Sequence, residues 1–144
     1  MPRQLLLDIG CSNVLVVEDS TLLAMDIEMT LEDAGYGVVG PAPDLASAFR
    51  LLAENQVDVA LLDINLDGTK SFPIADELVR LGIPFAFLTG YSNTQPIPEQ
   101  LSSRAIVQKP VRQEILLRVV KELLLEANRG RQTAVDLQTA WPLV

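Results

Sequence analysis

The sequence predicts a doubly wound α/β domain, three layers built around a five-stranded parallel sheet. Three observations carry that prediction. Aliphatic runs at residues 14–17, 36–39, 57–62, 85–88 and 105–107 are nearly continuous rather than alternating, the character of strands buried on both faces. Stretches with apolar residues at helical spacing follow them, and five such units are too few for a barrel, which needs eight. The chain has 144 residues and is 49% hydrophobic, enough to bury one core with no room for a second folded unit. The expected layout is an N-terminal extension over 1–12, the domain over 13–128 and a C-terminal tail over 129–144.

Each unit has its own start and stop signals. After the first strand, Ser20 is placed to cap a helix with Leu23, Ile27, Leu31 and Ala34 at helical spacing and Gly35 as its stop. The second strand leads to a helix opened by Asp44, carrying Leu45, Ala48 and Leu52 inward and ending near Asn55. The third strand ends at Leu62. A polar loop over 63–70 then precedes a helix capped by Ser71, with Pro73 in its first turn, Leu78 and Leu81 inward and Gly82 after it. The fourth strand opens at Pro84, tolerable as a first strand residue. Pro96 and Pro98 confine the fourth helix to a short, poorly anchored stretch that must end before Arg104. The last unit is a brief strand and a helix over about 112–127, with Ile115, Val119 and Leu123 on one face and Gly130 as its end. For the tail, which includes Trp141, Leu143 and Val144, disorder is the default.

A net charge of -8 argues against nucleic-acid or anionic-membrane partners, whose phosphates would repel it, and favours proteins or metal ions. Cys11 stands alone, so no intrachain disulfide can form, and it reads as a buried or half-buried thiol. No apolar stretch approaches membrane-spanning length, and the piece from Leu5 to Leu7, cut off by Asp8, is too brief for a secretory signal. A cytoplasmic location is expected.

Five polar residues, Glu18, Asp19, Asp63, Thr89 and Lys109, stand just after four of the apolar runs. In an open α/β sheet the carboxyl ends of the strands line one crevice, so residues distant in the sequence meet there. Three carboxylates crowded together repel one another and take up protons unless a divalent cation neutralises them, and a few hard oxygen ligands completed by water suit magnesium. Glu18 and Asp19 then serve as metal anchors, and Asp63, held ionised by the cation and Lys109, can attack a phosphoryl group to form an acyl phosphate. Lys109 offers a point charge, Thr89 a hydroxyl, and the backbone around Thr89 and Gly90 further donors, with Gly90 allowing the chain to approach closely. The chain contains no histidine, so the phosphoryl group must come from another molecule.

The segments 14–20 (Val-Leu-Val-Val-Glu-Asp-Ser), 59–66 (Val-Ala-Leu-Leu-Asp-Ile-Asn-Leu), 87–91 (Phe-Leu-Thr-Gly-Tyr) and 108–110 (Gln-Lys-Pro) resemble the receiver domain of two-component response regulators, over about residues 13–127. The resemblance implies a flavodoxin-like strand order 2-1-3-4-5. It implies that Asp63 accepts a phosphoryl group from a histidine kinase or histidine phosphotransfer protein. It also implies that Glu18, Asp19, Asp63 and the backbone carbonyl of Asn65 bind Mg2+, and that Asn65 and Tyr91 help set how fast the acyl phosphate hydrolyses. Such a chain is a signalling phosphoacceptor, not an enzyme on other substrates, and this one is expected to stand alone. Its output is protein contact through the face of helix four, strand five and helix five, which can also serve a homodimer.

The family usually carries an aromatic residue three positions before the lysine, where this chain has Ile106. Without that rotor, switching is expected to run through the weak fourth helix and Tyr91. Two rival readings remain. A pseudo-receiver, a binding module that takes no phosphate, rests on Ile106 alone. A haloacid-dehalogenase-like phosphatase also uses an aspartyl phosphate and magnesium, but its nucleophile follows the first strand within Asp-x-Asp, whereas the candidate here follows the third as Asp-Ile-Asn, and a cap domain does not fit in the length. Neither a P-loop nor a Gly-x-Gly-x-x-Gly pattern follows the first strand, which leaves a nucleotide-binding role without support.

Overall fold

The computed structural model describes residues 12–90 and 97–140, with the side chains of 130–140 excepted. The expectations for Cys11, Tyr91, Trp141, Leu143 and Val144 lie outside the described residues. Strands β1 (Asn13–Val17), β2 (Gly37–Ala42), β3 (Val59–Asp63), β6 (Phe85–Thr89) and β7 (Ala105–Gln108) form one parallel sheet in the order β2-β1-β3-β6-β7. A separate hairpin pairs β4 (Asn65–Leu66) with β5 (Thr69–Lys70). With the hairpin set aside this is the expected order 2-1-3-4-5. Helices α1 (Thr21–Asp33), α2 (Leu45–Glu54), α3 (Phe72–Leu81) and α4 (Gln113–Ala140) connect or follow the strands.

The sheet separates two apolar layers, and the period-two alternation of its strands fills both. Leu15, Val17, Ala60, Leu62, Phe85 and Phe87 meet Ala48 of α2 and Ile74, Ala75 and Leu78 of α3. Val14, Val16, Val59, Leu61, Ala86 and Leu88 meet Ile27 and Leu31 of α1 and Leu116, Val120, Leu123 and Ala127 of α4. Burial on both sides explains why these strands read as continuous aliphatic runs.

The caps expected of Ser20 and Asp44 are made: Leu23 N donates to Ser20 Oγ at 3.4 Å and Ser47 N to Asp44 Oδ1 at 2.8 Å. Ser71 occupies the corresponding position of α3, but its hydroxyl is fully buried and makes no cap; its carbonyl receives Ile74 N and Ala75 N instead. Leu81 is 45% exposed rather than inward, because the buried stripe of α3 runs Ile74, Ala75, Leu78 and one more residue turns past it. Ala34 is likewise exposed, as the cap residue beyond the last buried turn of α1. Strand β2 continues beyond Val39 through a cis Gly40–Pro41 bond to Ala42. Gly40 has φ +100°, and a Cβ there would lie 2.9 Å from the Val16 carbonyl and 2.8 Å from Ala42 N, so only glycine fits this approach to β1.

Three further expectations change. The loop over 63–70 folds as the β4–β5 hairpin, since Asp67 (φ +50°) and Gly68 (φ +90°) supply the two positive φ angles of a two-residue hairpin turn. Among residues 97–104 the fourth helix is only a 3-10 turn, Glu99–Leu101, closed when Ser102 N and Oγ both donate to the Glu99 carbonyl. Six residues after Pro98 are too few to repay helix nucleation. Helix α4 runs through Gly130 to Ala140 instead of stopping, because a lone glycine weakens a helix by about 1 kcal/mol but ends it only when the chain turns there. Its buried stripe is Leu116, Val120, Leu123 and Ala127, with Ile115 and Val119 at the margin.

Candidate functional site

Strand register brings the site together. The order of the sheet reverses between β1 and β3, the switch point at which open α/β sheets leave a crevice. Val17 pairs with Leu62, so Glu18 leaves β1 beside Asp63 at the end of β3. Asp63 pairs with Leu88 and Thr89 with Gln108, which places Lys109 just past the same edge. The chain holds the outgoing loops by backbone bonds, Glu18 N to the Ala42 carbonyl at 2.9 Å and Lys109 N to the Thr89 carbonyl at 2.7 Å.

Lys109 Nζ lies 3.0 Å from Asp63 Oδ2 and 3.1 Å from Glu18 Oε1. Asn65 N donates to Asp63 Oδ1 at 3.2 Å and Ser20 N to Glu18 Oε2 at 3.0 Å. Glu18 and Asp63 are buried, at 2% and 5% exposure, and Asp19 is the most open of the three. One carboxylate oxygen from each of Glu18, Asp19 and Asp63 falls within 4.8 Å of the others. Thr89 ends β6 one residue beyond the Asp63 partner, with its hydroxyl 3.4 Å from the Gly90 carbonyl. A Cβ at Gly90 would meet nothing within 4 Å, so no close protein contact demands glycine there. Ile106 is 50% exposed on β7. The remaining switch candidate, Tyr91, is outside the described residues.

Crowding sets the electrostatics. Burial pushes the Glu18 carboxyl up to about 7; the Ser20 N–H opposes this, and the neighbouring Asp63 charge adds to it. Asp19 moves the other way: desolvation is its largest single influence and raises it, but hydrogen bonding with Glu18, its own backbone, Asp63 and the Asp67 backbone together outweighs burial and lowers it. For Lys109, burial works against the ammonium, yet the Asp63 and Glu18 carboxylates win and its pKa rises. Three carboxylates therefore face one ammonium. Glu18 Oε1 is buried and, although close to Nζ, has no well-aligned hydrogen bond. A hard donor set with an underserved buried oxygen fits magnesium, which Glu18, Asp19 and Asp63 would hold.

Two features escaped sequence reasoning, the Ser20 N–H on Glu18 and the β4–β5 hairpin, for which the Asp67-Gly68 dipeptide was the available signal.

A family model described as the response regulator receiver domain matches residues 14–121. The chain belongs to this family. PhyR, the phyllosphere-induced regulator of Methylorubrum extorquens, is 26% identical over 133 residues, covering 90% of this chain and 49% of PhyR. The two-component response regulator PhoP of Pseudomonas aeruginosa is 32% identical over 135 residues, covering 91% of this chain and 58% of PhoP. The receiver domain chain thus spans about half the length of these curated relatives. The solution structure of SdrG from Sphingomonas melonis superposes with a TM-score of 0.71 at 34% identity, covering 80% of this chain and 98% of SdrG. The BeF3-activated conformation of SdrG matches at 0.66, also at 34% identity, covering 78% and 95%. A receiver domain is a signalling domain of two-component systems rather than a conventional enzyme. Among the described residues no helix is long and apolar enough to cross a membrane.

Proposed function

We propose that this receiver domain accepts a phosphoryl group on Asp63 from a phosphohistidine of a histidine kinase or phosphotransfer protein, in a magnesium-dependent reaction. The observation that carries this reading is the pairing of Lys109 Nζ with Asp63 Oδ2 at 3.0 Å inside a three-carboxylate pocket. The Lys109 ammonium meets one Asp63 oxygen, and a carboxylate oxygen of Asp63 serves as the nucleophile at the crevice. Once Asp63 carries the phosphoryl group, its charge toward Lys109 is replaced by that of a phosphoryl oxygen, and the ammonium can follow it on its flexible stem. The Thr89 hydroxyl serves a second phosphoryl oxygen. Bound Mg2+ would supply the positive charge that phosphoryl transfer chiefly needs, held by Glu18, Asp19, Asp63 and the Asn65 carbonyl.

The domain boundaries 13–128, a cytoplasmic location and an output through the surface of the 99–101 turn, β7 and α4 belong to the same reading. Downstream protein contact, or pairing of two copies, is its expected consequence. SdrG has a BeF3-activated conformation, and by likeness beryllofluoride should bind Asp63 here and shift the amides of 89–90 and 106–109. The deciding experiment is incubation with Mg2+ and phosphoramidate, read by intact mass. A single phosphoryl gain that Asp63→Asn abolishes supports the proposal; no gain in the wild type leaves the pseudo-receiver reading in its place.

A further inference from the structure

The amino edge of the sheet gathers polar and apolar groups that phosphoryl chemistry does not use. A cavity of about 690 Å³ lies there between the end of α3, the entry of β6 and α4, with Val79, Leu81 and Ile83 on its wall beside Arg104 and Glu126. That volume, and apolar walls with a few convergent charges, are those of a small-molecule site. Val79 and Leu81 are 40% and 45% exposed, so much of their apolar surface is not taken up by the core. Asp58 at this edge and Asp63 at the other are about 16 Å apart along an extended strand, so a molecule held here does not touch the acidic pocket.

Two charges line the cavity without using each other. Arg104 and Glu126 form no ion pair, and among the described residues the Glu126 carboxylate takes part in no hydrogen bond or ion pair. The Arg104 guanidinium lies over the Phe85 ring, 5.3 Å from its centre, and its Nε is buried without a hydrogen-bond partner. Arginine cannot shed its charge, so part of its donor fork stands unused. The other charged groups of this edge are engaged: Asp58 accepts the Asn13 N–H at 2.7 Å, and Arg80, the base in the last turn of α3, is held by Glu77 through two hydrogen bonds of 2.7 Å. The carboxyl end of α3 therefore keeps its attraction for a cation.

We propose that this cavity binds a free apolar α-amino acid, its carboxylate on Arg104, its ammonium on Glu126 and its side chain against Val79, Leu81 and Ile83. A simple anion would answer Arg104 but face Glu126, in a chain of net charge -8, and a simple cation would leave Arg104 unanswered. A zwitterion with its two charges on neighbouring carbons serves both, and the planar guanidinium suits a carboxylate.

The test is titration of the full chain with L-leucine, without Mg2+ or a phosphoryl donor, followed by amide NMR shifts and thermal melting. Leucine should shift the amides of Ile83, Arg104 and Glu126 saturably, leave that of Lys109 in place and raise the melting temperature. Isocaproate and isoamylamine have the same apolar body with one charge removed, and each should bind at least about threefold more weakly. Arg104→Gln should weaken leucine about tenfold and Glu126→Gln about threefold, since Glu126 is exposed and its pair partly screened. If Arg104→Gln does not fold without its stack on Phe85, the exposed Glu126→Gln still decides. A wild type with no saturable shifts at millimolar leucine overturns the site, as do isocaproate binding as tightly as leucine and leucine affinity unchanged in Glu126→Gln. Phosphorylation of Asp63 is read separately by mass and is untouched by any of these results.

Discussion

Strand β3 is preceded by one aspartate and ends on another, and the two do opposite work. At the amino edge Asp58 accepts the Asn13 N–H at 2.7 Å, and Asn13 Nδ2 donates to the Gln56 carbonyl at 2.9 Å, so the carboxylate staples β1 to the entry of β3. A cavity of about 690 Å³ opens beside it, lined in part by Ile83, Arg104 and Glu126, and the Arg104 guanidinium lies over the Phe85 ring, 5.3 Å from its centre. At the carboxyl edge Asp63 shares its pocket with Glu18, Asp19 and Lys109. The same side chain is structural where it ties two strands together at one edge, and at the other edge, where charges crowd it, it is the group we propose as phosphoacceptor. A cavity alone does not mark the site; convergent titratable groups do.

The largest effect that separates the two edges is all-or-none. Asp63→Asn should abolish the mass gain from phosphoramidate, while Asp58→Asn should leave it intact, both read by intact mass. If the two variants behave alike, the contrast between the edges fails.

Lys109→Met comes next. Removing the ammonium leaves Glu18 and Asp63 facing each other, a loss of about 2 kcal/mol in metal-free protein once partial solvent screening of the lysine is allowed for. Urea denaturation in EDTA should show this loss, and millimolar Mg2+ should restore part of it, because the cation replaces the missing charge. Asp58→Ala should cost about 1–2 kcal/mol by leaving the Asn13 N–H without its acceptor, and Mg2+ should restore none of that.

The pH dependence follows Glu18. Its folded value of about 7 lies above the ordinary 4.5, so the metal-free fold binds this proton more tightly than the unfolded chain does. Its contribution to stability is therefore full below about 4.5 and is lost as pH rises through about 7. Denaturation in EDTA across that window should show stability falling with rising pH, and Glu18→Gln should flatten the fall. Mg2+ affinity should move oppositely, weakening as pH drops below 7 and the proton competes for Glu18.

The same contrast explains what the sequence made legible. The pocket was readable because Glu18, Asp19, Asp63 and Lys109 each follow an apolar run, and parallel strands deliver such residues to one edge whatever the loop details. The aliphatic runs also placed both core layers. Less legible were features decided by single angles or single turns. Ser71 looks like a helix cap, but its hydroxyl is turned into the core, and the continuation of α4 past Gly130 depends on whether one glycine leaves helical φ. The hairpin was written in Asp67-Gly68, yet with strands of two residues it had no alternating pattern to announce it. Pairings such as Asn13 with Asp58, 45 residues apart, have no local signal at all.

The smallest expected effect concerns Ile106, which stands where the family usually has an aromatic. On β7 it is 50% exposed, while its neighbour Val107 is buried against α4. Half of its side chain is already in water, so Ile106→Ala should cost no more than about 0.5–1 kcal/mol, well under a buried large-to-small change. If Ile106 moved inward on phosphorylation as an aromatic rotor does, truncation would selectively destabilise the phosphorylated form. Melting curves with and without beryllofluoride separate the cases: equal shifts for Ile106→Ala in both states leave the switch to other residues of this edge, and a larger shift in the beryllofluoride state gives the role back to position 106.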